Sequence, residues 1–311
     1  MTEQTAGTTP SGSVSSADGV NDPRGIRAEP MGGPLGARIH GVDLSQPLSE
    51  AAFDRVLELF HRHQVVFFRD QRITPRQLVA FSARFGELDV HHMTEHVFPD
   101  LPWVRVLSNA KRDGRTVGIT RGGMHWHSDL SYKPQTALAT LLYGLECPPE
   151  GADTQFTSMS AAWRALPESL RERLAGLRAV HDRNFRYAQL YPNRPPLTAE
   201  QVAKVPPSEH PLVVRHPATG EPALFVARDV VSHLVGVDAA EGRALIDELE
   251  AFATRPGQVY SHRWQAGDVL VWDNRCTLHR ATPFAFDEYT RTMYRTQVRG
   301  AAPEAAWPEA A

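Results

Sequence analysis

The chain has 311 residues, of which 41% are hydrophobic and 22% charged, an ordinary globular composition long enough for one large domain or two small ones. Its 33 basic and 36 acidic residues leave a formal charge of −3 with no long Lys/Arg block, so bulk electrostatics suggest neither a nucleic-acid partner nor an anionic membrane. The only cysteines, Cys147 and Cys276, make no disulfide framework, and no apolar run or secretory leader is evident, so the expected compartment is the cytoplasm.

In chain order, residues 1–28 are rich in Thr, Ser, Gly and acidic residues, and read as a disordered tail that cannot bury enough surface to offset its ordering entropy. Residues 301–311, with repeated Ala, Glu and Pro, read the same way, which leaves 29–300 as a single catalytic domain. Within it, 35–44 reads as a strand broken by Gly36 and Gly41. Phe53, Val56, Leu57 and Phe60 lie at helical spacing on one face. Val65–Phe68 reads as a strand and Pro75–Phe85 as a helix closed by Gly86. The pattern is then irregular to Arg121. Thr136–Leu145 reads as a strand, and Ala161–Leu174 as a helix around Pro167. The proline-rich segment 184–210 reads as a long loop, of the kind that serves as a lid. Pro211–Arg215 and Ala223–Val226 are strand-like, and Ala239–Ala253 is an amphipathic helix. Val259–Arg263, Asp268–Trp272 and Thr290–Val298 read as strands. Short strands with a few outer helices predict an α+β domain on a β-sandwich or jelly roll.

The most informative segment is His125-Trp126-His127-Ser128-Asp129. On an extended backbone, residues i and i+2 share a side, so His127 and Asp129 can present an imidazole and a carboxylate to one point. Two histidines and a carboxylate on one triangular face leave positions open on a ferrous ion. The candidate third ligand is His279, beyond the run Trp272-Asp273-Asn274-Arg275. His125 shares a face with His127 and is the rival ligand, read instead as a residue behind the ligands or in the substrate pocket. His61 and His63, two apart on a helix, read as solvent-facing, and His91 and His92 are adjacent and cannot both face one site. Arg291, Met293, Arg295 and Gln297 share one face of the last strand. That face is either solvent or the inside of a barrel, where a guanidinium needs an anion in fork geometry.

The chain resembles the taurine dioxygenase and 2,4-dichlorophenoxyacetate dioxygenase family of 2-oxoglutarate- and Fe(II)-dependent oxygenases. The residues that carry this are Leu35-Gly36-Ala37, Gly41-Val42-Asp43-Leu44, Phe81 to Leu88, Trp126-His127-Ser128-Asp129 and Gly151-Ala152-Asp153-Thr154. Gly267-Asp268, Trp272-Asp273-Asn274-Arg275, His279 and Arg291 follow, in the family's order and spacing over nearly all of 35–298. The resemblance implies a distorted double-stranded β-helix (jelly roll) with flanking helices, and Fe(II) on His127, Asp129 and His279. It further implies that Arg291 binds the C5 carboxylate of 2-oxoglutarate with help from Thr154. Arg295 then holds an anionic group of the substrate, and His91, Tyr132 and Phe185 line the substrate pocket. Gly123 stands where taurine-specific members carry Asn, and Tyr132 where they carry Phe, so a larger anionic substrate fits at least as well as taurine.

The implied reaction consumes 2-oxoglutarate and O2 and hydroxylates, and so can cleave, a small anionic substrate such as an aryloxyalkanoate, sulfonate or sulfate ester. Two alternatives use the same side chains: a zinc-dependent hydrolase or lyase on the His/Asp/His set, and a catalytically silent ligand-binding protein. A small-molecule substrate is expected, with no nucleic-acid or membrane partner, and a homo-oligomer, dimer or tetramer, is the expected assembly.

Overall fold

The computed structural model describes residues 20–90, 96–120, 122–192 and 194–307. Its centre is a sheet of eight strands in the order Arg27–Pro30, Ala37–His40, Val65–Phe68, Val269–Asp273, Ala137–Glu146, Thr292–Arg299, Leu101–Ser108 and Val97–Phe98. The pairings are antiparallel except that of Ala37–His40 with Val65–Phe68. Alternation explains its burial. Val66, Phe68, Val269 and Val271 enter one apolar cluster, while Val65, Phe67, Leu270 and Trp272 enter another on the opposite face. A strand buried on both faces reads as an unbroken apolar run, as Val65–Phe68 does.

One face is covered by the helices Glu50–His63 and Pro75–Ser82, through Phe53, Val56, Phe60, Leu78 and Phe81. Ser49 caps the first helix by accepting from Ala52 N–H, and Thr74 with Gln77 forms a reciprocal capping box on the second. The other face packs on a three-stranded sheet, Val259–His262, Thr154–Ser158 and Thr277–Ala281, through Phe156, Tyr260 and Trp272. Beyond it, Met159–Ala165 and Ala239–Ala253 close a further cluster with Leu212, Phe225 and Leu278.

Several expectations are corrected. The segment before residue 29 is not all tail: Ile26 is buried, Arg27–Pro30 is a strand, and Asn21 exchanges hydrogen bonds of 2.8 and 3.0 Å with Asp43. The C-terminal segment is docked at least to Trp307, where Ala305 bridges Val214 and Trp307 lies 5.0 Å from Trp163. A few apolar side chains suffice to anchor segments whose average composition is polar. The expected 161–174 helix is two, Met159–Ala165 and Glu168–Leu174, because Pro167 forces Leu166 to an extended ψ of 144°. Leu101–Ser108 is a strand in the stretch read as irregular, and Arg178–His181, Val231–Leu234 and Thr277–Ala281 are strands where the sequence pattern marks no element. The 184–210 segment carries the helices Tyr187–Leu190 and Ala199–Ala203. His61 is not solvent-facing; its ring meets His216 edge-on at 5.8 Å. Among the described residues, no helix is long and apolar enough to cross a membrane.

Candidate metal centre and active site

Two backbone hydrogen bonds bring the first and last histidines of the motif together. His127 N–H donates to His279 C=O at 3.0 Å, and His279 N–H to His127 C=O at 2.9 Å. Opposed residues on an antiparallel pair place their side chains side by side, and here the two rings lie 4.2 Å apart. Asp129 joins from the same edge: its carboxylate oxygens are 3.9 Å from His127 Nε2 and 3.7 Å from His279 Nε2. One donor atom from each of His127, Asp129 and His279 lies within 4.8 Å of the others.

The surroundings prepare those donors. His127 Nδ1 lies 2.8 Å from the His125 carbonyl, which can only accept, so Nδ1 donates and Nε2 is the nitrogen turned toward Asp129 and the site. Asp129 Oδ2 accepts from the Thr140 hydroxyl at 2.7 Å, and Thr140 in turn accepts from Asn274 Nδ2 at 3.0 Å. Asn274 Oδ1 accepts from Asp129 N–H and Trp272 Nε1, both at 3.1 Å, so one amide orients a ligand's backbone and, through Thr140, its carboxylate. Burial alone would raise the Asp129 pKa, but His279, Arg295, His127 and the Thr140 hydroxyl outweigh it and keep the carboxyl ionised. Burial holds His279 well below the usual imidazole range, and so neutral. Two imidazole nitrogens and an ionised carboxylate are the donor set a divalent iron accepts.

Asn274 is placed by the turn before it. Asp273, fully buried, accepts from Arg275 Nε at 2.8 Å, from Arg275 Nη2 at 2.6 Å and from His216 Nε2 at 3.0 Å. Burial pushes its pKa up, yet Arg275 and His216 hold it far below the carboxylate range. His216, Asp273 and Cys276 also cluster tightly enough to suggest a metal. Their lone pairs are spent, however: His216 Nδ1 accepts from Ala218 and Thr219 N–H, and burial pushes the Cys276 thiol far up and keeps it protonated. That cluster is a structural lock on the turn.

The three converging side chains open into a cavity of about 830 Å³. Arg291 lines it, and no carboxylate among the described residues pairs with Arg291; burial lowers its pKa to about 10, so it remains charged at neutral pH. Its own Nε has no partner. Thr154 lies in the same wall, with its hydroxyl oxygen accepting from Trp264 Nε1 at 2.9 Å, which leaves its proton free to donate inward. Arg295 also lines the cavity, with Nη1 3.8 Å from Asp129 Oδ1. Tyr132 and His125 are in the wall, the His125 ring 5.0 Å from that of His127.

Phe185 is not in the cavity wall: it is 39% exposed, with its ring 6.0 Å from the Arg243 guanidinium. Its neighbours Arg183 and Tyr187, four apart, turn inward in its place. His91 lies outside the described residues. Arg105, Thr140 and Trp264 escaped the sequence reading. For Arg105 the available signal was the β-branched pair Val104 and Val106 around it, in a run masked by Pro102 and by the charge itself.

A sheet-rich fold whose cavity presents two histidines and a carboxylate, with an arginine that no described carboxylate pairs, fits a class, the mononuclear non-haem metal oxygenases that take an organic dianion as co-substrate. The comparisons narrow that class. Residues 27–297 match the family model described as taurine catabolism dioxygenase TauD, TfdA family, and the chain belongs to that family. It is 35% identical over 266 residues to the alpha-ketoglutarate-dependent 2,4-dichlorophenoxyacetate dioxygenase of Cupriavidus pinatubonensis, covering 82% of this chain and 91% of that enzyme. It is 33% identical over 287 residues to the alpha-ketoglutarate-dependent sulfate ester dioxygenase of Pseudomonas putida, covering 89% and 91%. The crystal structure of a taurine dioxygenase from Burkholderia xenovorans superposes with a TM-score of 0.76 at 35% identity, covering 90% of this chain and 91% of that one. The protein is a 2-oxoglutarate-dependent dioxygenase that uses Fe(II) and O2. These relatives support oxygenase chemistry, not the hydrolase, lyase or silent-binder alternatives.

Proposed function

We propose that the chain is a cytoplasmic, homo-oligomeric enzyme of distorted double-stranded β-helix (jelly-roll) fold that hydroxylates a small anionic substrate. His127, Asp129 and His279 would hold Fe(II). The single observation that carries this is the convergence of those donors on a cavity whose wall holds an arginine with no carboxylate partner among the described residues. When bound, the metal supplies the redox chemistry that couples oxidative decarboxylation of 2-oxoglutarate to substrate hydroxylation.

The chain's own residues do the rest. Arg291 would fork onto the C5 carboxylate of 2-oxoglutarate, with the Thr154 hydroxyl donating to the same group. Trp264, by donating to Thr154, turns that hydroxyl proton toward the cavity. Asn274 and Thr140 hold Asp129 in the orientation a ligand needs. Arg295 and Tyr132 would meet the anionic end of the substrate, with His91 assigned to the same pocket. Tyr187 and Leu190, from the 184–210 segment, cover the cavity and would exclude water during the reaction. Phe284 and Phe286, with rings 4.0 Å apart in the cavity wall, suit an apolar substrate body.

Similarity to enzymes named for aryloxyalkanoate and sulfate ester substrates supports those classes, with sulfonates alongside. If the hydroxylated carbon bears an ether or sulfate oxygen, the product falls apart to an aldehyde or ketone. The test is succinate release across alkyl sulfates, aryloxyalkanoates, sulfonates and amino acids. The expected result is succinate that requires Fe(II), 2-oxoglutarate and O2 together and rises with one of the anionic classes. Stimulation by amino acids alone would contradict the substrate class.

A further inference from the structure

Arg105 and Arg295 are directly opposed on adjacent antiparallel strands, Leu101–Ser108 and Thr292–Arg299. Directly opposed residues share a face and bring their Cβ atoms to roughly 5 Å, and like charges in that position destabilise a sheet. Both side chains here line the cavity. Arg105 is only 6% exposed, its Nε has no partner, and no carboxylate among the described residues pairs with it. The nearest acid to influence either guanidinium is Asp129, 3.8 Å from Arg295 Nη1 and already committed to the metal-ligand cluster. Burial and the neighbouring Arg295 lower Arg105 to about 10, which leaves it protonated at neutral pH. Two guanidinium groups thus face each other across the sheet, and among the described residues the one acid that ion-pairs with either is Asp129, so a net positive charge is left over.

An uncompensated pair of this kind is retained where a ligand supplies the missing charge. A carboxylate has two oxygens in one plane and matches a single guanidinium fork; a tetrahedral oxyanion offers three oxygens in different directions and can bridge two forks. The Tyr132 phenol, in the same wall and kept protonated by burial, adds a neutral donor.

We propose that Arg105 is a specificity-determining residue which, with Arg295, forms a two-arginine clamp for a tetrahedral oxyanion on the substrate, a sulfate, sulfonate or phosphonate rather than a carboxylate. The clamp refines the substrate end of the active site proposed above and rests on that reading.

The test is calorimetric binding of hexyl sulfate, hexylphosphonate and hexanoate to the Fe(II)- and 2-oxoglutarate-loaded enzyme under argon, in wild type and R105M. The wild type is expected to bind a tetrahedral probe at least about tenfold tighter than hexanoate. R105M is expected to lose about tenfold or more in that probe's affinity and to bind hexanoate nearly as before. The sulfate and phosphonate arms tell which tetrahedral group the clamp prefers. Because the substitution relieves a like-charge pair, the unliganded variant is also expected to melt about 1–3 °C higher, opposite to the effect of removing a merely structural arginine. If R105M does not fold, R105K is read in its place, since it keeps the charge and loses the fork. Wild-type affinity for the tetrahedral probe in the variant, a wild-type preference for hexanoate, or no binding of any probe to the wild type would each overturn the clamp. Affinity for 2-oxoglutarate, followed in parallel by the Fe(II) absorption band, separates this failure from failure of the co-substrate site.

Discussion

At the scale of single residues, the site depends on lone pairs and charges being left unspent inside the protein. His127 turns Nε2 to the site because its other nitrogen donates to the His125 carbonyl, and no carboxylate among the described residues pairs with Arg291. On the proposed assignment, Arg291 takes the co-substrate and Arg295 the organic substrate. Arg291→Ala is expected to weaken 2-oxoglutarate binding about 10- to 100-fold, the loss of one buried charge-assisted pair. Arg295→Ala is expected to weaken the organic substrate and leave 2-oxoglutarate within about threefold. Titrating both ligands against both variants checks the division, and equal losses for both would show the strand misassigned. The three candidate ligands were legible in the sequence, since a period of two puts His127 and Asp129 on one side and the family's spacing points to His279. Arg105 was not legible. A charged residue on an inward strand face breaks the apolar pattern by which strands are recognised, so the element and the residue were missed together.

At the scale of elements, strands buried on both faces announced themselves as apolar runs, and Val65–Phe68 and Ala239–Ala253 stand as read. Thr277–Ala281 escaped notice because it carries polar and charged side chains at Thr277, His279 and Arg280, yet it is the strand that presents His279. The composition of the N-terminal strand reads as tail, although Gly41 marks where that strand docks. Gly41 sits at φ +81°, and a Cβ there would lie 2.5 Å from the Gly25 carbonyl oxygen. Gly41→Ala is therefore expected to cost about 1–3 kcal/mol and to loosen residues 21–30. A lower melting temperature, with faster tryptic cleavage at Arg24 and Arg27, is the result to look for; unchanged values would mean the segment is not held there. The 184–210 segment contributes Tyr187, Leu190 and Tyr191 to the cavity wall. Co-substrate with substrate is expected to slow proteolysis within it, and an unaltered digestion rate would remove its role as a cover.

At the scale of the whole molecule, burial tunes stability against pH through a carboxyl and two histidines. Glu250 is raised to about 7 by burial, only partly offset by the Arg228 N–H it accepts. Between the ordinary carboxyl pKa of about 4.3 and that value, the native chain keeps a proton that the unfolded chain has released, so Glu250 makes stability fall as pH rises. His125 and His181, lowered to about 3 by burial, act oppositely: the unfolded chain binds protons below about 6.5 that the native chain refuses, so they make stability rise with pH. Comparing Glu250→Gln with wild type isolates the first contribution. The variant's stability relative to wild type in urea unfolding should grow from pH 5 to 7, and a flat difference would show that Glu250 is not held protonated.

The central proposal is that His127, Asp129 and His279 hold one ferrous ion while Arg291 anchors the co-substrate. Anaerobic addition of Fe(II) and 2-oxoglutarate, read by visible absorption, tests it most directly. A metal-to-ligand charge-transfer band in the wild type and in His125→Ala, lost in His279→Ala, is the expected result. No band in the wild type, or a band that survives loss of His279 and vanishes with His125, would contradict it.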